Sequence, residues 1–327
     1  MATSFAGKRA LRKIQLGIES TPGMAVPATA RIVGTLGMKQ ENKYYRPADL
    51  ETARLSEFER SVITGKQATL PFESDANFEQ LGYLLGMGVK GEVSATNSGG
   101  MYVRDYTPNL TTTANLDTYT IEYGDDVAAY RSTYCVATDL EISGQIDDAL
   151  MVKASLVGRA VEPNSFTPSI DPPAALNPAV MGLGKLFIDP TYAAIGTTRQ
   201  EATLVDFSYK VSQGVTPMKY GDGTLSYSDI AEKKRHIDLD LTVAFNANAV
   251  GLYYLVDTQS NLFIRLDFPG PNGANLTMDG CYVIDDWGTL EERDGQDIVK
   301  LTLVSIYDRI GDFEWGIKLV NSVPALP

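Results

Sequence analysis

The chain has 327 residues, with 28 Lys and Arg against 41 Asp and Glu, a formal net charge of −13. That balance makes the chain a poor candidate for gripping nucleic acid, because such affinity comes mostly from cationic side chains displacing counterions from phosphate. The 44% hydrophobic and 21% charged fractions exclude disorder throughout. No apolar run reaches 18 residues and Met1 to Lys13 lacks an apolar h-region, so neither a membrane span nor export by that route is expected.

In chain order, the first feature is a basic cluster, Lys8, Arg9, Arg12 and Lys13. In so acidic a chain it reads as a contact for a neighbouring acidic subunit rather than for DNA. Lys39 to Arg60 is long and charged and carries Tyr44, Tyr45, Arg46 and Phe58. A long loop with exposed aromatics reads as a contact arm. Lys66 to Phe72 alternates as a strand, with Ala68, Leu70 and Phe72 inward and Gln67 and Thr69 outward. Asp75 then stands where a helix cap is needed, ahead of the apolar stripe Phe78, Leu81, Leu84 and Leu85, so a helix is expected from Asn77 to Gly86. Gly86 to Gly91 fits G-x-G-x-x-G, but a dinucleotide site needs a strand before it and a helix after it. Here it reads as a helix stop. The Gly-, Ser-, Thr- and Asn-rich residues that follow, to about 118, read as a long exposed loop.

Val152 to Leu156 alternates again, and Glu162 to Pro178 holds five prolines, the mark of a stiff extended linker. Tyr220 to Gly223 reads as a hairpin turn. His236 to Phe245 is the clearest strand: Ile237, Leu239, Leu241, Val243 and Phe245 alternate with His236, Asp238, Asp240 and Thr242. One face is buried and the other is wet and acidic. Asn248 is placed to cap a second helix. Adjacent acids such as Asp285 and Asp286 point to opposite faces of a strand, so they do not form a catalytic pair. His236 has no G-x-S-x-G beside it, the acidic turns lack the twelve-residue calcium loop, and Cys135 and Cys281 sit in apolar strands as small core residues. No catalytic, cofactor or metal site is expected, and the chain does not read as an enzyme.

The chain also looks like one unit written twice. Val152 to Val157 falls on Val299 to Val304, and Cys135 to Asp139 falls on Cys281 to Asp285. Upstream, Ala68 to Phe72 falls on Leu239 to Val243, and Lys13-Ile14 on Lys185-Leu186. The offset drops from 171 to 146 residues between Leu85 and Tyr119, which marks an insertion in the first copy. Collinear blocks of this kind imply a duplication. The first domain is placed at residues 1–160, with an N-terminal arm, the loop 39–60 and the insertion at about 86–118. A Pro-rich linker follows at 161–179, then a second domain at 180–327 with a C-terminal arm. The fold class expected is mainly β: two tandem β-sandwich or barrel domains, each with one flanking α-helix.

The N-terminal arm leading into Lys13 to Gly23, the charged loop, the helix Asn77 to Gly86 and the closing Asp139, Gly144 and Val152 to Gly158 together resemble the major tail tube protein of long-tailed bacteriophages with non-contractile tails. The resemblance implies a β-sandwich with a flanking helix, six units per ring, and rings stacked into a hollow tube for the genome. A duplicated chain would then need three molecules for a pseudo-sixfold ring. It implies a lumen lined by Gln67, Thr69, Asp238 and Asp240, whose acidic and neutral groups repel phosphate. Ring-to-ring contacts fall to the N-terminal arm with Lys8, Arg9 and Arg12, and to Tyr44, Tyr45, Arg46 and Phe58. The implied partners are the chain itself, a tape measure protein, tail terminator and distal tail proteins, and double-stranded DNA in transient, non-specific passage, with no membrane. The implied place is the virion tail, assembled in the host cytoplasm. Two other readings stay open. One is a different component of the same fold, a distal tail, terminator or secretion-tube protein that caps instead of polymerising. The other is a carbohydrate-binding β protein, for which Trp287 and Trp315 are sparse platforms.

Overall fold

Runs of alternating apolar residues, rich in β-branched and aromatic side chains, set the architecture. The computed structural model describes residues 8–47, 57–58, 60–173 and 175–326. The first half holds β1 (Lys13–Ile18), β2 (Ala30–Ile32), β3 (Thr35–Leu36), β4 (Lys39–Tyr45), β5 (Val62–Asp75), α1 (Leu81–Gly88), β6 (Thr96–Ser98), β7 (Met101–Asp105), β8 (Tyr119–Gly124), β9 (Ala129–Gln145), β10 (Met151–Gly158) and β11 (Glu162–Asn164). The second holds β12 (Lys185–Asp189), β13 (Arg199–Gln200), β14 (Leu204–Ser212), β15 (Val215–Met218), β16 (Asp229–Glu232), β17 (His236–Ala244), α2 (Ala247–Val256), β18 (Leu262–Pro269), β19 (Asn275–Arg293), β20 (Gln296–Ser305) and β21 (Trp315–Asn321). The fold is mainly β, as expected.

Eight strands make one continuous antiparallel sheet in the order β4, β5, β10, β9, β14, β17, β20, β19. Its joint is the β9–β14 pairing, from Gln145 opposite Asp206 to Asp139 opposite Ser212, so the backbone of the first half bonds that of the second. Since directly opposed residues share a face, one face carries Leu70, Leu156, Leu140, Val211, Leu239 and Leu303, all buried. Against it lies a second layer. In the first half β8 pairs with the start of β9, β1 with β8, and β2 with β1. In the second half β18 pairs with the start of β19, β12 with β18, and β13 with β12. The pairings of the two halves thus run in the same order. A single cluster of buried apolar side chains extends through both.

Several local expectations change. The segment from Lys39 is not loop throughout: Lys39–Tyr45 is β4, hydrogen-bonded along β5. Helix α1 begins at Leu81 rather than Asn77, because Asn77 and Phe78 are held in extended contact with Pro178 and Asn177. Asp75 ends β5 instead of capping a helix. The α2 cap is Asn246, whose Oδ1 accepts from the Ala249 N–H at 3.2 Å, two residues before the expected Asn248. Strand β17 stops at Ala244; the Phe245 N–H is donated to the Asp297 carbonyl and its ring is 38% exposed. The insertion is not an exposed loop. Strands β6 and β7 form a hairpin that pairs with β21 and so extends the sheet of the second half. The proline-rich stretch is fastened to the first half through β11 on β9, Thr167 and Asn164 on Glu122, and Asn177 on Glu79. Tyr220 to Gly223 lies within the longer connection between β15 and β16, not in a two-residue turn.

Candidate functional site

The other face of the eight-stranded sheet is mostly polar across its middle; Val304 and Val283 continue it at the β19 side, and at the arm end Val157 and Val136, on the same face as Thr69, are buried under Val215 of β15. Across five strands the register sets Glu73 (β5) beside Lys153 (β10), then Glu141 (β9), Lys210 (β14) and Asp238 (β17), an alternating row of charge that crosses from one half to the other. The row above it runs Ser143, Ser208, Asp240, Thr302 and Asp286. Lys153 Nζ is 3.8 Å from Glu73 Oε1, and Lys300 Nζ is 2.8 Å from Asp240 Oδ2. The Asp240 carboxylate raises the Lys300 ammonium above its ordinary pKa. Cross-strand pairs of opposite charge add stability on a sheet face, and here they also leave few carboxylates without a nearby cation. An open recess of about 690 Å³ lies over this face at Pro71, Glu73, Glu141, Lys153 and Lys210.

The two ends of the sheet differ. Strands β5 and β17 point the same way, being separated by β10, β9 and β14 in an antiparallel sheet, so both helices lie at the end where those strands finish. At the opposite end β4 and the start of β5 form a hairpin arm. Tyr44, Tyr45 and Val62 are 51%, 61% and 58% exposed there, and the Arg46 guanidinium lies 5.1 Å from the Tyr44 ring centre. At the foot of the arm Lys219 Nζ donates to the Lys66 carbonyl at 3.1 Å. Burial, and then the charge of Lys43, lowers the Lys219 pKa. The connection between β14 and β17, with β15 and β16, folds back onto the first half instead. The Lys66 N–H donates to the Leu225 carbonyl, the Tyr227 hydroxyl donates to the Tyr134 carbonyl, and Val215 packs on Val136 and Val157.

Buried acids hold the connections. Glu19 accepts from the Gly23 and Tyr134 amides and from the Thr118 and Thr120 hydroxyls. Asp189, 1% exposed, accepts from the Gly196, Thr197 and Thr198 amides and the Thr197 hydroxyl. Burial opposes its ionisation, but these donors outweigh that and hold the carboxyl below the ordinary range. The Cys135 and Cys281 thiols are buried and pushed up to about 12 by desolvation, so they are inert at neutral pH. Among the described residues no three His, Cys, Asp or Glu side chains gather as a metal site, and no helix is long and apolar enough to cross a membrane.

A family model, phage tail tube protein, matches residues 10–303. The chain belongs to the phage tail tube protein family. A search of curated proteins found no match. Family membership makes this a structural component of the virion tail, of a kind that self-assembles into the tail tube.

In this tail tube family member the four lumen candidates share one face. Gln67 and Thr69 lie on β5 opposite Glu41 and Lys39, and Asp238 and Asp240 lie on β17 in the rows described above. His236 sits beside them, exposed, with Nε2 3.5 Å from Asp238 Oδ2. The contact candidates separate into two places. Tyr44 and Tyr45 end β4 with Arg46 just beyond, and Phe58, 44% exposed, is on the returning chain; residues 48–56 and 59 of the expected contact arm lie outside the described residues. Lys8, Arg9 and Arg12 are elsewhere, ahead of β1 at the β8–β9 turn, where the Arg12 guanidinium donates to the Tyr123 hydroxyl at 3.2 Å. What the acidic residues alone do not reveal is the set of lysines on the same face. Lys153, Lys210 and Lys300 occupy outward positions of alternating strands, which the parity of each strand already contains.

Proposed function

We propose that three copies close into a pseudo-sixfold ring and that such rings stack into a hollow tube through which double-stranded DNA leaves the particle. Each chain is then two tail-tube units, and the polar face of its sheet lines the bore. The observation that carries this reading is the eight-stranded sheet with two open edges. Among the described residues, the outer edge of β4 and the edge of β19 beyond Ile284 pair with no strand. Strand β4 joins β5 as β14 joins β17, and β19 joins β20 as β9 joins β10. Setting β19 of one copy against β4 of the next therefore repeats the β9–β14 joint within the chain. Open edges of this kind are either protected or paired with another chain, and a closed ring pairs them all.

The dimensions agree. Three eight-stranded sheets give twenty-four strands; at about 4.8 Å spacing and about 40° tilt the diameter is about 48 Å. About 40 Å remains inside the side chains, ample for a duplex about 20 Å wide. The alternating charges on the face present no continuous cationic track, so phosphate has no reason to dwell.

Electron microscopy of the purified chain tests the reading. Hollow filaments whose end-on views average with threefold symmetry are expected. Single rings that never stack point to a tail-end component of the same fold, and dispersed monomers at high concentration overturn the proposal.

A further inference from the structure

The helices α1 and α2 follow equivalent strands but have different surroundings. All eight residues of α1 are buried. The insertion covers it, with the Tyr106 hydroxyl donating to the Gly82 carbonyl and the Asp117 N–H to the Gly86 carbonyl, and Leu326 of the C-terminal tail packs into the same core. Helix α2 buries Ala249 and Leu252 but leaves Tyr253 and Tyr254 54% and 70% exposed. Tyr253 meets Trp287 edge to face at 5.3 Å, and Leu290 beside them on β19 is 54% exposed. An apolar and aromatic patch of this kind marks an interaction site.

Resting on the ring-and-stack reading, we infer that this patch receives the β4–β5 arm of a copy in the adjacent ring. Each chain has one projecting arm, because the connection between β14 and β17 is folded down against the first half. Each chain also has one uncovered helix, because its own insertion and tail cover the other. The numbers match, and the two features lie at opposite ends of a sheet whose strand β5 alone spans about 46 Å over its 14 residues. A contact between unlike patches at opposite ends is heterologous and does not close, which is how filaments grow.

Charge fits the same pairing. The arm end carries Lys43, Arg46, Lys66 and Lys219 with Glu41 and Glu57 among them, whereas the helix end carries Glu291, Glu292, Asp294 and Asp297 with the single cation Arg293 around the β19–β20 turn. An arm with an excess of cations thus meets a distinctly acidic rim, a difference of charge that steers and registers an interface. Seating the arm of a first half on α2 of a second half also staggers each ring by one unit against the next.

Full-length Tyr45→Cys and Tyr254→Cys variants, mixed before assembly and then mildly oxidised, test the contact. The two native thiols are buried and do not compete. A disulfide joining positions 45 and 254 is expected in stacked tubes, and absent when either variant assembles alone or remains below the assembly concentration. Separately, Tyr254→Asp is expected to leave rings intact and to weaken stacking at least about thirtyfold, the loss that follows removal of one aromatic anchor. Tubes that form normally with Tyr254→Asp and give no 45–254 disulfide overturn the contact while sparing the tube. If the unmodified chain forms neither rings nor tubes, the ring-and-stack reading falls and the contact with it.

Discussion

Glu141 and Lys210 stand directly opposite each other across the joint between the two halves, with Asp238 on the far side of Lys210. The lysine is therefore flanked by carboxylates from both of its neighbouring strands. Lys210→Glu sets three acids in line and is expected to cost about 1 kcal/mol, since like charges directly opposed destabilise a sheet. In calorimetry that lowers Tm by a few degrees, with the gap narrowing as salt is raised. An unchanged Tm at low ionic strength would show that the row contributes nothing.

Arg104 ties the insertion to the C-terminus. It is 1% exposed, donates to Asn321 Oδ1 at 2.9 Å and to the Val323 carbonyl at 2.8 Å, and Asn321 donates in turn to the Phe78 carbonyl just ahead of α1. Burial lowers the pKa of the guanidinium. Arg104→Met removes both bonds and strands buried acceptors, at a cost of about 3 kcal/mol. Denaturant melts should show that loss, and hydrogen exchange should speed up in Leu81–Gly88. A variant as stable and as protected as the parent would rule out the clamp.

The strands legible in the sequence were those with one wet and one dry face. His236–Ala244 and Met151–Gly158 alternate because one side meets the core, and the parity that put Gln67, Thr69, Asp238 and Asp240 outward holds. Strand β4 hid because Lys39 to Tyr45 has no fully buried side chain; its partner β5 alone holds it extended. The β6–β7 hairpin hid for another reason. Ser98-Gly99-Gly100 does read as a turn, and both glycines adopt positive φ, but its strands exist because β21 lies alongside, more than two hundred residues away. Helix α1 looked amphipathic, yet it is covered on all sides by segments that local periodicity does not connect to it. The polar face as a single surface needed the β9–β14 joint, which no repeat of short motifs specifies.

Asp189 supplies a pH test. Its folded pKa is depressed, so its contribution is present above the unfolded carboxylate value of about 3.9 and is lost as pH falls through the lower folded value. Asp189→Asn keeps the shape but weakens four acceptor contacts, and should cost about 2 kcal/mol at neutral pH. The gap between the two proteins should close as the pH falls below about 4. A gap that stays constant down to strongly acid pH would mean the carboxylate charge is irrelevant there.

The bore itself is open to a charge test. Gln67 and Asp238 lie on the same polar face in opposite halves, so Gln67→Lys with Asp238→Lys adds three positive charges per chain to that face. If the face lines the channel, assembled tubes of the variant should retain short duplex DNA that parent tubes release. Retention should fall steeply with salt, because each phosphate neutralised releases counterions. Asp126→Lys, in the exposed β8–β9 turn, controls for added charge outside this face. Retention by the control equal to that of the double variant would place the polar face outside the channel. Retention confined to the double variant would show that the duplex runs over the sheet that the two halves build together.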